Sequence, residues 1–159
     1  MAEKKPVDVL VREKKIYQIV NPKLVQASPE ISVKDAILLM QQNKSGYIVL
    51  SKAKKTAGVF TEENVIMKIL DQPVDWSKPV KEFMTTQCPC LKMTDSVGEA
   101  IDLMGEKKLY YIPLLDENEN LANVLSVRTL IRFLAEFYPA EIYNLPPKSD
   151  QVMDTPEGG

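Results

Sequence analysis

The apolar positions of this chain change their spacing in a fixed order, and that order occurs twice. Val33, Ala36, Ile37 and Met40 fall at i, i+3, i+4 and i+7, the stripe of an amphipathic helix, with Ser32 placed to cap it and Asp35 at the third helical position. Two short apolar runs follow, Gly46 to Leu50 and Ala57 to Phe60, separated by a polar turn as in a hairpin. Thr61 is then a second capping hydroxyl, and Glu62 to Leu70 reads as a helix. The same signals return downstream. Ser96 precedes Val97, Ala100, Ile101 and Met104 with Glu99 in the first turn, Tyr110 to Leu115 and Leu121 to Leu125 form the hairpin pattern, and Ser126 leads into Val127 to Phe137.

The two copies align residue by residue. Ser32 to Met40 lies on Ser96 to Met104, 64 positions later, and the register runs without a gap through Tyr47-Ile48 onto Tyr111-Ile112. One inserted residue then places Val59-Phe60-Thr61 on Val124-Leu125-Ser126, and Val65-Ile66 on Leu130-Ile131. A unit of about 60 residues is near the lower limit for an independent core. The expected fold is therefore α+β, two pseudo-twofold-related β-α-β-β-α repeats packed sheet to sheet. Residues 1–22 are expected as an extension, with a helix over Val7 to Lys15 and a strand over Ile16 to Val20. Residues 23–71 are the first repeat, 72–79 a linker pinned at Trp76, 80–143 the second repeat, and 144–159 a loose tail after Leu145-Pro146-Pro147.

Composition narrows the chemistry. Of 159 residues, 45% are hydrophobic and 26% charged, as in ordinary soluble globular proteins. Twenty Lys and Arg against 22 Asp and Glu leave a net charge of −2, which points away from nucleic acid or an anionic membrane as a partner. Histidine is absent, which removes the commonest general base and metal ligand. Cys88-Pro89-Cys90 fits neither a zinc half-site nor a redox Cys-x-x-Cys pair, so no metal site is expected, and both thiols are expected as small buried fillers in a reducing compartment. With no signal-peptide pattern and no run of about 18 apolar residues, a cytoplasmic location is expected. An enzyme is not expected, since no motif supplies a nucleophile or a metal. Arg12 to Lys15 and Lys52 to Lys55 read as solvated charge, and Asp116 to Asn120 as a turn without calcium-loop spacing.

Four marks in register carry a resemblance. They are the twice-seen Ser-Val-x-(Asp/Glu)-Ala-x-x-x-Met helix start, the Ile112-Pro113 strand, the turn Gly58-Val59-Phe60-Thr61-Glu62-Glu63-Asn64, and the link Pro79-Val80-Lys81-Glu82-Phe83-Met84-Thr85-Thr86. From Val7 to Tyr143 the chain resembles the tandem cystathionine-β-synthase-type (CBS) domain pair, most of all its small stand-alone bacterial members. The resemblance implies binding and not turnover: an adenosine-containing ligand such as AMP lies in the cleft between repeats, no cofactor is required, and a conformational shift passes to a protein partner that the sequence does not name. A capped helix end favours phosphate, and apolar strand residues enclose the purine.

Carried onto this chain, the resemblance gives Thr61 to phosphate and Asn64, where the family usually has Asp, to ribose. Val59, Phe60, Gly46, Tyr47, Ile112 and Pro113 surround the base, and Gln26 and Cys90 stand at the positions entering each repeat. The second turn offers Ser126 and Thr129, with Asn123 replacing the usual Gly, and is expected to be degenerate. The first turn is thus expected to form most of the site, with Asn64→Ala weakening binding more than Thr129→Ala. Glu63, Tyr110 and Tyr111 occupy positions that related sequences often give to basic residues. Glu62 and Glu63 are expected to disfavour triphosphates, and Arg128 either faces water or offers a phosphate contact. Of Tyr110 and Tyr111, one ring is expected in the core and one at the cleft mouth, the alternative being that both are structural. A homodimer through the helical faces is expected, with Phe133, Phe137, Tyr138, Ile142 and Tyr143 covering part of the surface. The alternative of a different class is a dimerisation module whose sites have decayed.

Overall fold

A computed structural model describes residues 5–86 and 88–137; the expectations for Tyr138, Ile142, Tyr143 and the tail 144–159 lie outside the described residues. Helix α1 (Val7–Glu13) leads into a 3₁₀ turn, Ile16–Gln18. The first repeat then runs β1 (Gln26–Ala27), α2 (Val33–Asn43), β2 (Tyr47–Lys52), β3 (Lys55–Thr61) and α3 (Glu62–Lys68). After a second 3₁₀ turn, Val80–Glu82, the order returns as β4 (Leu91–Lys92), α4 (Val97–Lys107), β5 (Tyr111–Leu115), β6 (Leu121–Ser126) and α5 (Val127–Phe137). Each repeat makes a three-stranded sheet, β1-β2-β3 or β4-β5-β6, whose first pair is parallel and whose second is antiparallel.

Local chemistry explains the helix starts. Ser32 Oγ accepts the Asp35 N–H at 3.0 Å. Ser96 Oγ accepts from Glu99 at 3.1 Å, while the Glu99 carboxylate accepts the Ser96 N–H at 2.8 Å, closing a capping box. Each such cap is worth about 1 kcal/mol. The duplication also reaches irregular features. Ala57 and Ala122 are the extra residues of matching bulges, and Lys44 and Lys108 end α2 and α4 in the left-handed region at φ 50° and 53°. One rung differs: Val49 donates to the Val25 carbonyl at 3.0 Å, whereas Pro113 has no N–H to give, so β4 begins only at Leu91.

Strand alternation divides the interior into three layers. Ile48, Leu50 and Phe60 pack under α2, and Ile112, Leu114 and Leu125 under α4 and α5. Val49, Val59 and Val124 are buried on the opposite faces, where the sheets meet. The segments that lead into the repeats cross over. Ile16 is fully buried in the core of the second repeat and Val80 in that of the first. The crossing is tied by matching backbone bonds, Ile16 N–H to Asp95 O at 3.0 Å and Val80 N–H to Ile31 O at 2.8 Å.

Three expectations change. Ile16 to Val20 is no strand: Gln18 and Ile19 donate back to Lys15 and Ile16, and Ile16, Ile19 and Val20 enter one core at helical spacing. The linker is pinned by the Trp76 carbonyl, which accepts from Lys34 at 3.1 Å, while the Trp76 ring is exposed. Cys88 is half-buried and Cys90 exposed, because Cys90 takes the outward edge position that Gln26 holds in the first repeat. Among the described residues no helix is long and apolar enough to cross a membrane, and no three His, Cys, Asp or Glu gather as metal ligands.

Candidate functional site

The two cap turns face inward between the sheets, and their surroundings differ. At the first, Thr61 Oγ1 accepts the Asn64 N–H at 3.3 Å, and Asn64 Oδ1 accepts the Thr61 N–H at 3.0 Å. The remaining Asn64 amide donates to Thr85 Oγ1 at 3.1 Å, so this side chain, only 6% exposed, is consumed by the protein itself. Thr85 is also bridged to β3, its carbonyl accepting from Val59 at 3.0 Å and its N–H donating back at 2.9 Å. Gly58 permits this approach, since a Cβ there would lie 2.6 Å from Thr85 O and 2.8 Å from Met84 Sδ. The lead-in segment of the second repeat therefore lies directly against β3 at the first turn.

At the second turn Asn123 replaces that glycine, and the bridge is missing. Asn123 Oδ1 accepts the Val124 N–H at 2.7 Å, the donor that Thr85 satisfies in the first copy. Asn123 Nδ2 donates to Asn21 O at 2.6 Å, holding the lead-in segment away from β6 by the length of a side chain. What results is an open groove of about 630 Å3, within the usual range for small-molecule sites.

That groove draws on both repeats. Gly46 and Tyr47 come from the start of β2, Tyr110 and Tyr111 from the start of β5, and Ser126, Arg128 and Thr129 from the β6–α5 turn. Thr129 donates its N–H to Ser126 Oγ at 3.2 Å, and the two hydroxyl oxygens lie 3.0 Å apart. Tyr47 and Tyr111, equivalent positions of the repeat, meet across the pseudo-twofold with ring centroids 5.3 Å apart. A Cβ on Gly46 would collide with the Tyr111 hydroxyl and lie 2.7 Å from Glu62 Oε2, so glycine is needed for the Tyr111 ring to cross. Burial first, and then the Glu62 charge, push the Tyr111 hydroxyl up from its ordinary pKa, while Arg128 pulls it down. Burial alone raises Tyr47. Both phenols are neutral donors near pH 7.

The sequence-derived set is thus divided. Tyr47, Gly46, Tyr110, Tyr111, Ser126, Arg128 and Thr129 line one groove, with Tyr110 57% exposed at its mouth. Tyr111 is half-buried in the groove wall and is no core ring. Thr61 and Asn64 bond to each other, Val59 and Phe60 are buried, Ile112 and Pro113 are interior, and Gln26 is exposed with its amide oxygen 3.5 Å from Ser51 Oγ. Sequence reasoning missed Asn21, Lys23, Lys44 and Arg132 in the groove lining. Continuing the 64-residue offset upstream from Thr85 would have found Asn21, and helical spacing from Arg128 would have found Arg132.

The CBS domain family model matches residues 16–71 and again residues 80–136, beginning each time at a 3₁₀ turn. The chain is similar to an uncharacterized 17.7 kDa protein of Acidianus ambivalens, 23% identical over 125 residues that span 78% of this chain and 75% of that protein. In structure it is similar to a CBS domain protein of Pyrobaculum aerophilum complexed with AMP, with a TM-score of 0.69 and 21% identity over 79% of this chain and 99% of the other. A further similar structure is a CBS domain pair in complex with 5′-methylthioadenosine and S-adenosyl-L-methionine. Its TM-score is 0.70 and its identity 16%, over 77% of this chain and 97% of the other.

Proposed function

We propose that this chain, which belongs to the CBS domain family, is a regulatory module that binds an adenine nucleotide at its second turn. The carrying observation is the contrast between a first turn whose Asn64 amide is taken by Thr85 and a second turn whose Ser126 and Thr129 line an open groove. Buried Val25 and Val124, with the tyrosines, give the base apolar and aromatic contact. Ser126 and Thr129 face the sugar and phosphate, and Arg128 supplies charge. The relatives that hold AMP or S-adenosylmethionine support this ligand class. Because the groove takes residues from both repeats, occupancy biases their relative setting, by no more than the ligand's differential affinity for the two settings. That bias is what a protein partner would read.

Dimerisation belongs to the same reading. Ile66 is 60% exposed, Met67 69% and Leu70 69%, an apolar helix face for a second copy of the chain. Ile66 and Met67 also border the groove, so Leu70→Lys is the cleaner test and should shift the sedimenting species from dimer to monomer. Binding is tested with a thermal-shift and calorimetry panel of AMP, ADP, ATP, NAD and S-adenosylmethionine, where 100-fold excess over Kd adds about 2.7 kcal/mol. Ser126→Ala should weaken the bound ligand and Thr61→Ala should leave it unchanged, the reverse of the ranking expected from sequence. The opposite result returns the site to the first turn. A panel with no shift favours the dimerisation module, which the Asn64–Thr85 contact at the first turn and the bare α3 face already suit.

A further inference from the structure

The charge around the groove is lopsided for a chain whose net charge is −2. Lys23 and Lys44 line it from the first repeat and Arg128 and Arg132 from α5, against only Glu62 and Glu63. Among the described residues neither arginine is in an ion pair. The cations therefore stand on both walls, in two groups fixed to different repeats. A single 5′-phosphate can engage one group and leaves the other unused.

The second observation concerns the position one turn into α5. A carboxylate there would accept hydrogen bonds from a vicinal sugar diol and repel any phosphate attached to it. This chain has Thr129, and the first turn of α5 carries no acidic residue, whereas the first turn of α3 carries Glu62 and Glu63. Arg132 follows Thr129 at i+3 and Arg128 at i+4, so hydroxyl and guanidinium groups share one helix face at the groove. A neutral residue beside an arginine, in place of an acid, is what fits a sugar pocket to a sugar phosphate elsewhere, as at the 2′-position of dinucleotides, and the repeat counterpart of Thr129 is the likewise neutral Asn64, which has no arginine on its helix.

We infer that the groove selects an adenosine nucleotide phosphorylated on the ribose as well as at the 5′ position, with Thr129 and Arg132 holding the ribose phosphate and the lysine wall within reach of the other. This rests on the proposed adenine-nucleotide reading and adds to it the ligand's second anionic group.

Calorimetry on the full chain tests it with four probes: AMP, ADP, adenosine 2′,5′-bisphosphate and adenosine 3′,5′-bisphosphate. One bisphosphate should bind about tenfold tighter than both AMP and ADP, and which one does so identifies the hydroxyl that carries the phosphate. ADP has added charge without ribose phosphate, so ADP binding as tightly as either bisphosphate overturns the inference, as does AMP binding equally well. Absence of binding by all four defeats the adenine-nucleotide reading itself, and this inference with it. Thr129→Asp, a substitution suited to a helix start, should reverse the order in favour of AMP. Arg132→Gln should lower bisphosphate affinity about tenfold more than AMP affinity and so abolish the bisphosphate advantage; an equal loss for AMP would assign Arg132 to the 5′-phosphate and sink the assignment.

Discussion

Gly58 and Asn123 occupy the same place in the two hairpins, opposite Leu50 and Leu114, and around them the two halves part company. In the first half a missing Cβ lets Thr85 lie against β3 and exchange two backbone hydrogen bonds with Val59. In the second half an amide side chain makes its own version of the bridge, satisfying the Val124 N–H and gripping the Asn21 carbonyl from farther out. The Val124 N–H and the Asn21 carbonyl thus keep partners in the second half, as Val59 N–H and the Thr85 carbonyl do in the first. What changes is the space between lead-in segment and sheet: direct contact in one copy, the length of a side chain in the other. A duplicated fold can thus differentiate its two halves through one side chain, Gly58 against Asn123.

The largest effect is expected where that Cβ is added. Gly58→Ala would place it 2.6 Å from the Thr85 carbonyl, too close for either backbone to tolerate. The Val59–Thr85 pair of bonds should break, with a loss of about 2 to 3 kcal/mol for two bonds and overpacking, measured by urea unfolding. Gly58→Asn should recover part of that loss by copying the second turn. Equal destabilisation by Ala and Asn would mean that the side-chain bridge is not portable.

The converse change is smaller in stability and larger in binding. Asn123→Gly removes the spacer, frees Val124 to bond the lead-in backbone and lets the groove narrow. Ligand affinity should fall by about tenfold, the cost of roughly one lost favourable contact, read by calorimetry with the tightest nucleotide. Unchanged affinity would show that the groove's width is set by Tyr47 and Tyr111 instead.

Much of this architecture was legible in the chain. The i, i+3, i+4 stripes, the capping serines and the in-register duplication specify both helix starts and both hairpins, because each rests on contacts within a few residues or across one turn. The family resemblance followed from those same marks. Less legible were features that depend on segments far apart in sequence. Asn64 has the residue type of a ribose contact, but its amide is claimed by Thr85, 21 residues on. Asn123 looked like loss of a family glycine, yet it is bonded to Asn21, 102 residues away, and keeps the groove open. Ile16 to Val20 has the apolar density of a short strand, but Ile16, Ile19 and Val20 fall at i, i+3 and i+4, the spacing with which they enter the core. Cys90 has the residue type of a buried filler, while its register with Gln26 places it outward.

The smallest effect reports on the same Thr85 bridge from the far side. Beyond Thr85 the lead-in segment reaches Cys88, whose thiol burial pushes up to about 11 from an ordinary 9.0, with the Cys90 thiol adding to the shift. The folded chain therefore holds a proton on this sulfur that the unfolded chain releases between pH 9 and 11. Folded-state stability from this group is complete below pH 9 and declines as pH rises through that window. Cys88→Ser should flatten the decline there and leave stability near neutral pH almost unchanged. At pH 8 a thiol with a pKa near 11 is only about 0.1% thiolate, so alkylation of Cys88 should be slow in the native protein. If the Thr85 bridge is what keeps that segment seated, Gly58→Ala should lower the Cys88 pKa toward its ordinary value and speed alkylation severalfold. Should the rate stay fixed while the protein is destabilised, the burial of Cys88 would have to come from its own packing, and the influence of the bridge would end at Thr85.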